Sequence, residues 1–280
     1  MKPWVKSRVS PGVEYRAICR DIEGEIVRRG GEPAFPCGIG VNHVSAHYAP
    51  QDSDSSEIRE DDLVKLDYGV HVDGYIADTA VTVTLNSRYQ TLLEATERAL
   101  HSAIETVRKD RRIGEIGRAI WGEAARDGFK TISNLSGHTL ERYIVHAGKS
   151  IPNLFVPNLP VLKKGEVFAI EPFLTLGDAA GYVVEAPQET IYSVVGRKRT
   201  GVREADELLE KIWSVRKTLP FTPRWFTGEY SEQKMRQLLA ELKKKKLVRG
   251  YGTLVEASSR PVAQFEHTVA LDDGTMTVLT

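Results

Sequence analysis

The sequence predicts an α+β fold in which helices back an antiparallel sheet, and two observations carry this prediction. Residues 64–83 form two apolar, β-branched runs around Asp73-Gly74, a dipeptide typical of a tight hairpin turn. Apolar residues recur at helical spacing in three segments, one before the hairpin and two after it: 13–29, 88–109 and 113–128. Because an amphipathic helix buries its apolar stripe against another layer, this order favours helices packed on a sheet.

The composition limits the classes of function. The chain has 280 residues, 41% of them hydrophobic, which is enough for one large domain or one and a half. The 38 basic and 38 acidic residues balance, so no overall field favours nucleic acid or a membrane surface, and we expect neither DNA nor a membrane as a partner. No apolar run approaches the roughly 18 residues of a membrane span.

Two features predict a cytoplasmic protein. The N-terminus lacks the apolar core of a signal peptide. The two cysteines, Cys19 and Cys37, have no metal-ligand spacing, and we interpret both as free thiols in a reducing compartment.

The remainder of the chain divides by composition. Strands are expected near 38–42, over 167–173, over 181–195 and over 263–271. Between them, residues 196–260 are charged and mostly helical, and they end in a strand-like run, as in a small winged-helix-like insert. We therefore divide the chain into a first catalytic part (1–195), an inserted helical subdomain (196–260) and C-terminal catalytic strands (261–280). The basic run 243–246 is interpreted as a solvated helix end rather than an RNA contact.

The hairpin places two carboxylates on one face of the sheet. With the turn at the Asp-Gly dipeptide, Asp67 lies opposite Ala80 and Gly69 lies opposite Asp78. Asp67 and Asp78 are then diagonal neighbours, about 7–8 Å apart at the backbone. Two carboxylates within apolar strands repel each other and lose solvation, so one or two cations between them explain the pattern better than a surface position does.

Three further residues extend this pattern. Glu171 and Glu266 each interrupt an apolar, strand-like run, and His138 follows Gly137 in an expected loop. Two Asp, two Glu and one His form an oxygen-dominated set that suits two divalent ions, which would lower the pKa of a water held between them. From the residues alone, each carboxylate could instead form an isolated buried ion pair.

The chain resembles the methionine aminopeptidases, specifically the type 2, archaeal-like form, from Pro11-Gly12 to the C-terminus. The resemblance rests on seven motifs: Ala34-Phe35-Pro36, Ala46-His47-Tyr48, Asp67-Tyr68-Gly69 with Asp78, Asn134-Leu135-Ser136-Gly137-His138, Ile144-Val145-His146-Ala147-Gly148, Ala169-Ile170-Glu171-Pro172-Phe173 and Gln264-Phe265-Glu266-His267-Thr268. It implies the pita-bread fold, a curved antiparallel sheet backed by helices, and an insert between Glu171 and Glu266.

The resemblance also implies the roles of the site residues. The metal ligands would be Asp67, Asp78, His138, Glu171 and Glu266. Asp78 and Glu266 would bridge two divalent ions, Co²⁺, Mn²⁺, Fe²⁺ or Zn²⁺, while Asp67 and His138 would each serve mainly one.

Among the same residues, Glu171 would also carry a proton from the water to the leaving amine. His47 would contact the scissile peptide and the amine, and His146 would stabilise the carbonyl oxygen as it gains charge. Phe35 and Val145 would line the methionine pocket.

The expected activity is removal of an N-terminal methionine that precedes a small residue. The partners would be nascent polypeptide N-termini and, transiently, the ribosome, and we expect a monomer. Family members usually have a further helix before the segment matching Pro11, whereas only ten residues precede it here. The other histidines, His43, His71, His101 and His267, are expected to be structural.

Two alternatives remain. A prolidase or aminopeptidase P shares the pita-bread fold but usually carries an N-terminal domain for which this chain has no room. A non-catalytic pita-bread protein that binds RNA or another partner would have lost metal ligands, and all five are present here.

Overall fold

The computed structural model describes residues 1–109, 112–272 and 275–280. Within these residues the α-helices are α1 (Lys2–Lys6), α2 (Tyr15–Arg28), α3 (Gln90–Lys109), α4 (Ile113–Arg126), α5 (Arg203–Arg216) and α6 (Glu232–Lys244). The strands are β1 (Glu32–Pro33), β2 (Gly38–Val41), β3 (Val44–Ala46), β4 (Leu63–Val72), β5 (Tyr75–Thr84), β6 (Lys130–Thr131), β7 (Ser136–Leu140), β8 (Ser150–Pro152), β9 (Val167–Ile170), β10 (Phe173–Thr175), β11 (Val183–Val194), β12 (Val248–Glu256), β13 (Val262–Gln264), β14 (His267–Asp272) and β15 (Thr275–Val278). Short 3₁₀ helices span Ser87–Tyr89 and Pro223–Phe226.

The β4–β5 hairpin has the predicted register. Val72 pairs with Tyr75, and Asp67 pairs with Ala80. Asp73 and Gly74 both have positive φ angles, 50° and 86°, as a type I′ turn requires. Strands β1, β2 and β5 all pair with β4. Strand β4 is therefore central in an antiparallel sheet.

Three further antiparallel sheets complete the strand layer. Their strand orders are β15-β14-β9-β7-β8, β13-β10-β6 and β11-β12-β3. Strands β9 and β10 follow each other in the chain, as do β13 and β14, yet each pair is split between two sheets. A two-residue break separates the members of each pair, and these breaks lie at the candidate site.

Helices α2, α3 and α4 back the strands, as the amphipathic pattern predicts. One buried cluster joins Ile18 and Ile22 of α2, Leu100 of α3 and Ile116 of α4 to apolar strand residues such as Leu66. The two cysteines are buried and free, as predicted. In the described part of the chain, no helix is both long enough and apolar enough to cross a membrane.

Residues 196–260 contain α5 and α6, which pack around a second buried cluster with Leu208 and Leu238. The side chain of Ser231 caps α6 by accepting a hydrogen bond from the Lys234 amide. Strand β12 then pairs with β11 along its length and with β3. The proposed division of the chain at residues 195 and 260 stays a prediction.

Two expectations about local structure are wrong. His138, expected in a loop, lies in β7, where it pairs with Ala169 and Ser150. The expected continuous strands over 167–173 and 263–271 are each broken at a glutamate, after Ile170 and after Gln264. One break contains a proline, which has no N–H for a ladder hydrogen bond.

Candidate metal centre

All nine predicted site residues line one cavity of about 300 Å³. They come from distant parts of the chain and are Phe35, His47, Asp67, Asp78, His138, Val145, His146, Glu171 and Glu266. Among the described residues that line this cavity there is no lysine and no arginine. The carboxylates there are therefore not neutralised by a basic side chain in the cavity wall.

The hairpin presents Asp67 and Asp78 to the cavity from adjacent strands. Asp78 is held by Thr268 of β14, whose hydroxyl accepts a hydrogen bond from the Asp78 amide and donates one to its carbonyl, both at 2.7 Å. These bonds join the hairpin sheet to β14. The Asp78 carboxylate is thus fixed at the junction of two sheets.

The two strand breaks bring Glu171 and Glu266 to the same junction. Phe173 pairs with Gln264 on one side of the breaks, and Ile170 pairs with His267 on the other. Glu171 and Glu266 therefore leave the ladders at matching positions. The Glu266 amide donates to the Ala80 carbonyl at 3.1 Å, which ties this break to the hairpin.

Two side chains bond the Glu266 carbonyl from outside the ladders. The Thr79 hydroxyl donates to it at 2.9 Å and the Lys2 ammonium donates to it at 2.7 Å. Because these partners come from β5 and from α1, the backbone of Glu266 is held from two directions.

His138 reaches the carboxylates from β7. Its Nε2 lies 3.8 Å from Asp78 Oδ2 and 3.5 Å from Glu171 Oε1. The preceding residue must be glycine, because a Cβ at Gly137 would lie 2.3 Å from the carbonyl oxygen of Ala169. Close pairing of β7 with β9 therefore places this imidazole at the junction.

The donor set fits a divalent metal. Ligand atoms of Asp78, His138 and Glu266 all lie within 4.8 Å of one another. Oδ1 of Asp67 and Oδ1 of Asp78 are buried and have no hydrogen-bond partner among the described residues. Buried polar atoms normally have a partner, so these two oxygens have the capacity to bind a cation.

The electrostatics of the site agree with this fit. Burial raises the pKa of Asp67 to about 7. Burial and the neighbouring carboxylates raise the pKa values of Asp78, Glu171 and Glu266 well above their usual range. Burial lowers the pKa of His138 to about 3, so its imidazole is neutral and free to bind a cation. A cation would restore the charged form of each acid.

His47 and His146 lie beside this acidic cluster. The ring of His146 lies 4.2 Å from that of His138, centroid to centroid, and the residue itself is exposed. The ring of His47 lies edge-on to that of Tyr251, with 5.7 Å between centroids. Burial, with His146 nearby, lowers the pKa of His47 to about 4. His47 is therefore a neutral imidazole that can donate one hydrogen bond and accept another.

An apolar recess adjoins the acidic cluster. Phe35 and Val145 pack in one cluster with Ala34 and with Leu219, a residue of the segment 196–260. The ring of Phe35 lies against Gly69, where a Cβ would be 2.4 Å from Phe35 Cε1. The Phe35 wall of the recess therefore packs directly against the backbone of the hairpin at Gly69.

Several residues that line the cavity were not predicted from the sequence. Gln264 donates to Glu171 Oε2 at 3.3 Å, and strand alternation, which puts it on the same face as Glu266, could have identified it. Pro220, Tyr251 and Leu254 also line the cavity. They belong to the segment 196–260, and their sequence carries no motif that relates them to the hairpin.

The structural histidines behave as expected where the structure gives them contacts. His71 is buried, and its Nδ1 accepts a hydrogen bond from the Gly74 amide at 3.3 Å. His267 is directed away from the acidic cluster, toward Lys2 and Thr280. Neither ring lines the cavity.

A buried cluster of four carboxylates and one imidazole between antiparallel sheets is the kind of site found in metallohydrolases. The chain belongs to metallopeptidase family M24, whose model matches residues 2–211. The methionine aminopeptidase of Pyrococcus horikoshii is 45% identical over 271 residues, which cover 96% of this chain and 91% of that relative. That of Saccharolobus solfataricus is 42% identical over 94% of this chain and 87% of the relative.

A solved structure of a thermophilic Arx1 superposes with a TM-score of 0.82 at 16% identity, over 99% of this chain and 85% of that one. This likeness shows the fold alone, which is the pita-bread fold with antiparallel sheets and helices. The fold expected from the resemblance is thereby confirmed.

Proposed function

We propose that this protein is a dinuclear-metal aminopeptidase that removes the N-terminal methionine of nascent proteins when the second residue is small. The observation that carries the proposal is the convergence of four carboxylates and His138 on one cavity beside an apolar recess. The names of relatives at up to 45% identity support the choice of methionine.

The residues that would hold two divalent ions are Asp67, Asp78, His138, Glu171 and Glu266. When bound, Co²⁺, Mn²⁺, Fe²⁺ or Zn²⁺ ions lower the pKa of a water and polarise a carbonyl. The set is mainly oxygen with one nitrogen, which suits hard and borderline cations. Two cations between four carboxylates would also offset the burial and the mutual repulsion that raise their pKa values.

Glu171 would move the proton from the attacking water to the leaving amine. The Gln264 amide donates to Oε2 of the Glu171 carboxylate at 3.3 Å, and Oε1 lies 3.5 Å from His138 Nε2. The neutral His47 would hold the scissile peptide near the amine, and His146 would donate to the substrate oxygen as it gains charge. Both residues line the cavity, and the ring of His146 lies 4.2 Å from that of His138.

The apolar recess would bind the methionine side chain. An unbranched thioether is flexible and fits a narrow space between Phe35 and Val145. The second residue has to be small, because the peptide must pass closely between His47 and His146. A bulky side chain there would displace the carbonyl, and about 1 Å of misplacement can cost about 10²-fold in rate.

The setting proposed for this activity is the cytoplasm, where nascent chains emerge. The two buried free cysteines support a reducing compartment. The partners would be nascent polypeptide N-termini and, transiently, the ribosome, and the protein would act as a monomer.

The test combines metal content with substrate choice. Purified protein loaded anaerobically with Mn²⁺, Fe²⁺, Co²⁺ or Zn²⁺ should bind two ions per chain and cleave Met-Ala-Ser much faster than Met-Lys-Ser. A preference for Xaa-Pro peptides would instead indicate a prolidase or aminopeptidase P. Two bound ions with no cleavage of any peptide would favour a non-catalytic partner-binding protein.

A further inference from the structure

The loop 33–37 carries Phe35 and Pro36, which both line the cavity. The Ala34 amide donates to the Gly69 carbonyl at 2.9 Å, and the Cys37 thiol donates to the Gly38 carbonyl at 3.9 Å. Further hydrogen bonds come from side chains of α2 and of the segment 196–260. These side chains have no part in the chemistry proposed above.

Arg216, the last residue of α5, bonds the start of this loop. Its Nη2 donates to the carbonyls of Pro33 at 2.8 Å and Ala34 at 3.0 Å, and also to that of Pro220 at 3.0 Å. The residue is only 6% exposed, and burial lowers its pKa to about 10. An arginine is costly to bury, so three carbonyl acceptors on one nitrogen indicate a specific structural task.

Glu23 of α2 bonds the other end of the loop. Its Oε1 accepts from the Cys37 amide at 3.0 Å. The same carboxylate forms a bidentate ion pair with Arg224, with Nη1 to Oε2 at 2.8 Å, and accepts from Trp225 Nε1 at 2.9 Å. The guanidinium of Arg216 lies 4.8 Å from the centre of the Trp225 ring, which joins the two groups.

These contacts connect the segment 196–260 to the pocket wall. Arg216, Arg224 and Trp225 all belong to that segment, while loop 33–37 joins β1 to β2 of the hairpin sheet. Leu219 and Pro220 of the same segment form part of the wall directly. Buried charged groups thus bond the backbone at both ends of the loop that carries Phe35, whose ring lies against Gly69.

We propose that Arg216 and the Glu23–Arg224 pair are positioning residues that set the width of the recess for the side chain of the residue removed. The segment 196–260 then determines side-chain specificity, although it supplies no metal ligand. This inference rests on the proposed function for the identity of the substrate. It predicts that loosening the network changes selectivity and KM, and leaves metal content and the chemical step nearly unchanged.

The test compares Arg216→Lys with Arg197→Lys. Arg197 is a matched control, because it lies in the same segment, stacks 4.8 Å from the Trp213 ring and pairs with Glu210, yet is exposed and has no recorded bond to loop 33–37. Lysine keeps the charge but lacks the planar fork of arginine. In Arg216→Lys, KM for Met-Ala-Ser should rise and the preference for Met-Ala-Ser over Leu-Ala-Ser should fall by about tenfold, with kcat close to wild type.

Hydrogen exchange gives a readout that does not require turnover. The amides of Ala34, Phe35 and Cys37 should exchange faster in Arg216→Lys than in Arg197→Lys. An unchanged selectivity ratio would overturn the proposal even if exchange were faster, and unchanged exchange would overturn it even if the ratio moved. If Arg216→Lys does not fold, Glu23→Gln takes its place, since it weakens the same network at the other end.

Failure of the proposed function would look different. Wild-type protein would then not cleave Met-Ala-Ser. Calorimetric binding of free L-methionine and L-leucine to the wild type and the Arg216→Lys variant would take the place of turnover. Equal Met-to-Leu affinity ratios in both proteins would overturn the inference, and a smaller ratio in the variant would support it.

Discussion

Replacement of Gly69 by alanine tests how tightly the recess is built. Gly69 lies in β4 opposite Asp78, and its missing side chain is on the face that carries Asp67. A Cβ there would be 2.4 Å from Phe35 Cε1 and 3.0 Å from the Ala34 Cβ. Since ordinary carbon contacts begin near 3.4 Å, the ring must move by about 1 Å.

This movement has an energetic and a functional consequence. Overpacking of this kind costs about 1–3 kcal/mol in the free energy of unfolding. Displacement of the Phe35 ring by about 1 Å should lower kcat/KM for Met-Ala-Ser by about 10²-fold, mainly through KM. The metal content of Gly69→Ala should equal that of wild type, because the ligand side chains are not touched.

The control is Gly122→Ala. Gly122 lies on the exposed face of α4 and a Cβ there meets no atom within 4 Å. This variant should be about 0.5–1 kcal/mol more stable and fully active, because alanine favours helix. The two variants are compared by steady-state kinetics, by the free energy of unfolding in urea and by metal content. Wild-type kinetics in Gly69→Ala, or a loss of bound metal, would refute the explanation through Phe35.

Four other predictions can be tested with the same assays. Glu266→Ala should lose at least one ion and nearly all activity, and two ions with near-normal turnover would refute its role as a ligand. His146→Ala should lower kcat by about 10²–10³-fold with metal retained, whereas loss of metal would contradict this role. Neutralising residues 243–246 should leave tripeptide hydrolysis unchanged. A large fall in the rate of tripeptide hydrolysis by a properly folded variant would contradict this prediction. Burial lowers the pKa of Lys65 to about 7 in the folded protein. Above this pH the folded protein loses the Lys65 proton, whereas the unfolded chain keeps it up to the usual pKa of lysine. Stability relative to Lys65→Met should therefore rise from pH 7 to pH 9, by up to about 1.4 kcal/mol per pH unit in urea unfolding, and a flat difference would contradict this pKa.

The sequence predicts those parts of the site that depend on local structure. A type I′ turn at Asp73-Gly74 fixes the register of the hairpin, and alternation then fixes the face of Asp67 and Asp78. Both rules act over a few residues, so they can be applied without knowing where distant segments pack. The helices α2, α3 and α4 follow from apolar spacing in the same way.

The motifs of the resemblance add the identity of the other site residues but not their local structure. His138 is in a strand rather than a loop, because Gly137 allows β7 to approach the carbonyl of Ala169. The breaks that carry Glu171 and Glu266 lie between ladders whose pairs are far apart in the chain. Local propensity predicts continuous strands over 167–173 and 263–271. Long-range pairing instead divides each of these runs between two sheets.

The sequence by itself therefore determined the fold class, the hairpin and the residue types of an acidic cavity. Only the tertiary structure decided that the segment 196–260 walls the recess, with Leu219 packed beside Phe35 and Arg216 bonded to loop 33–37. The reason is physical. A pocket wall depends on which surfaces meet after the chain has folded, and the buried bonds that fix it join residues separated by more than 180 positions.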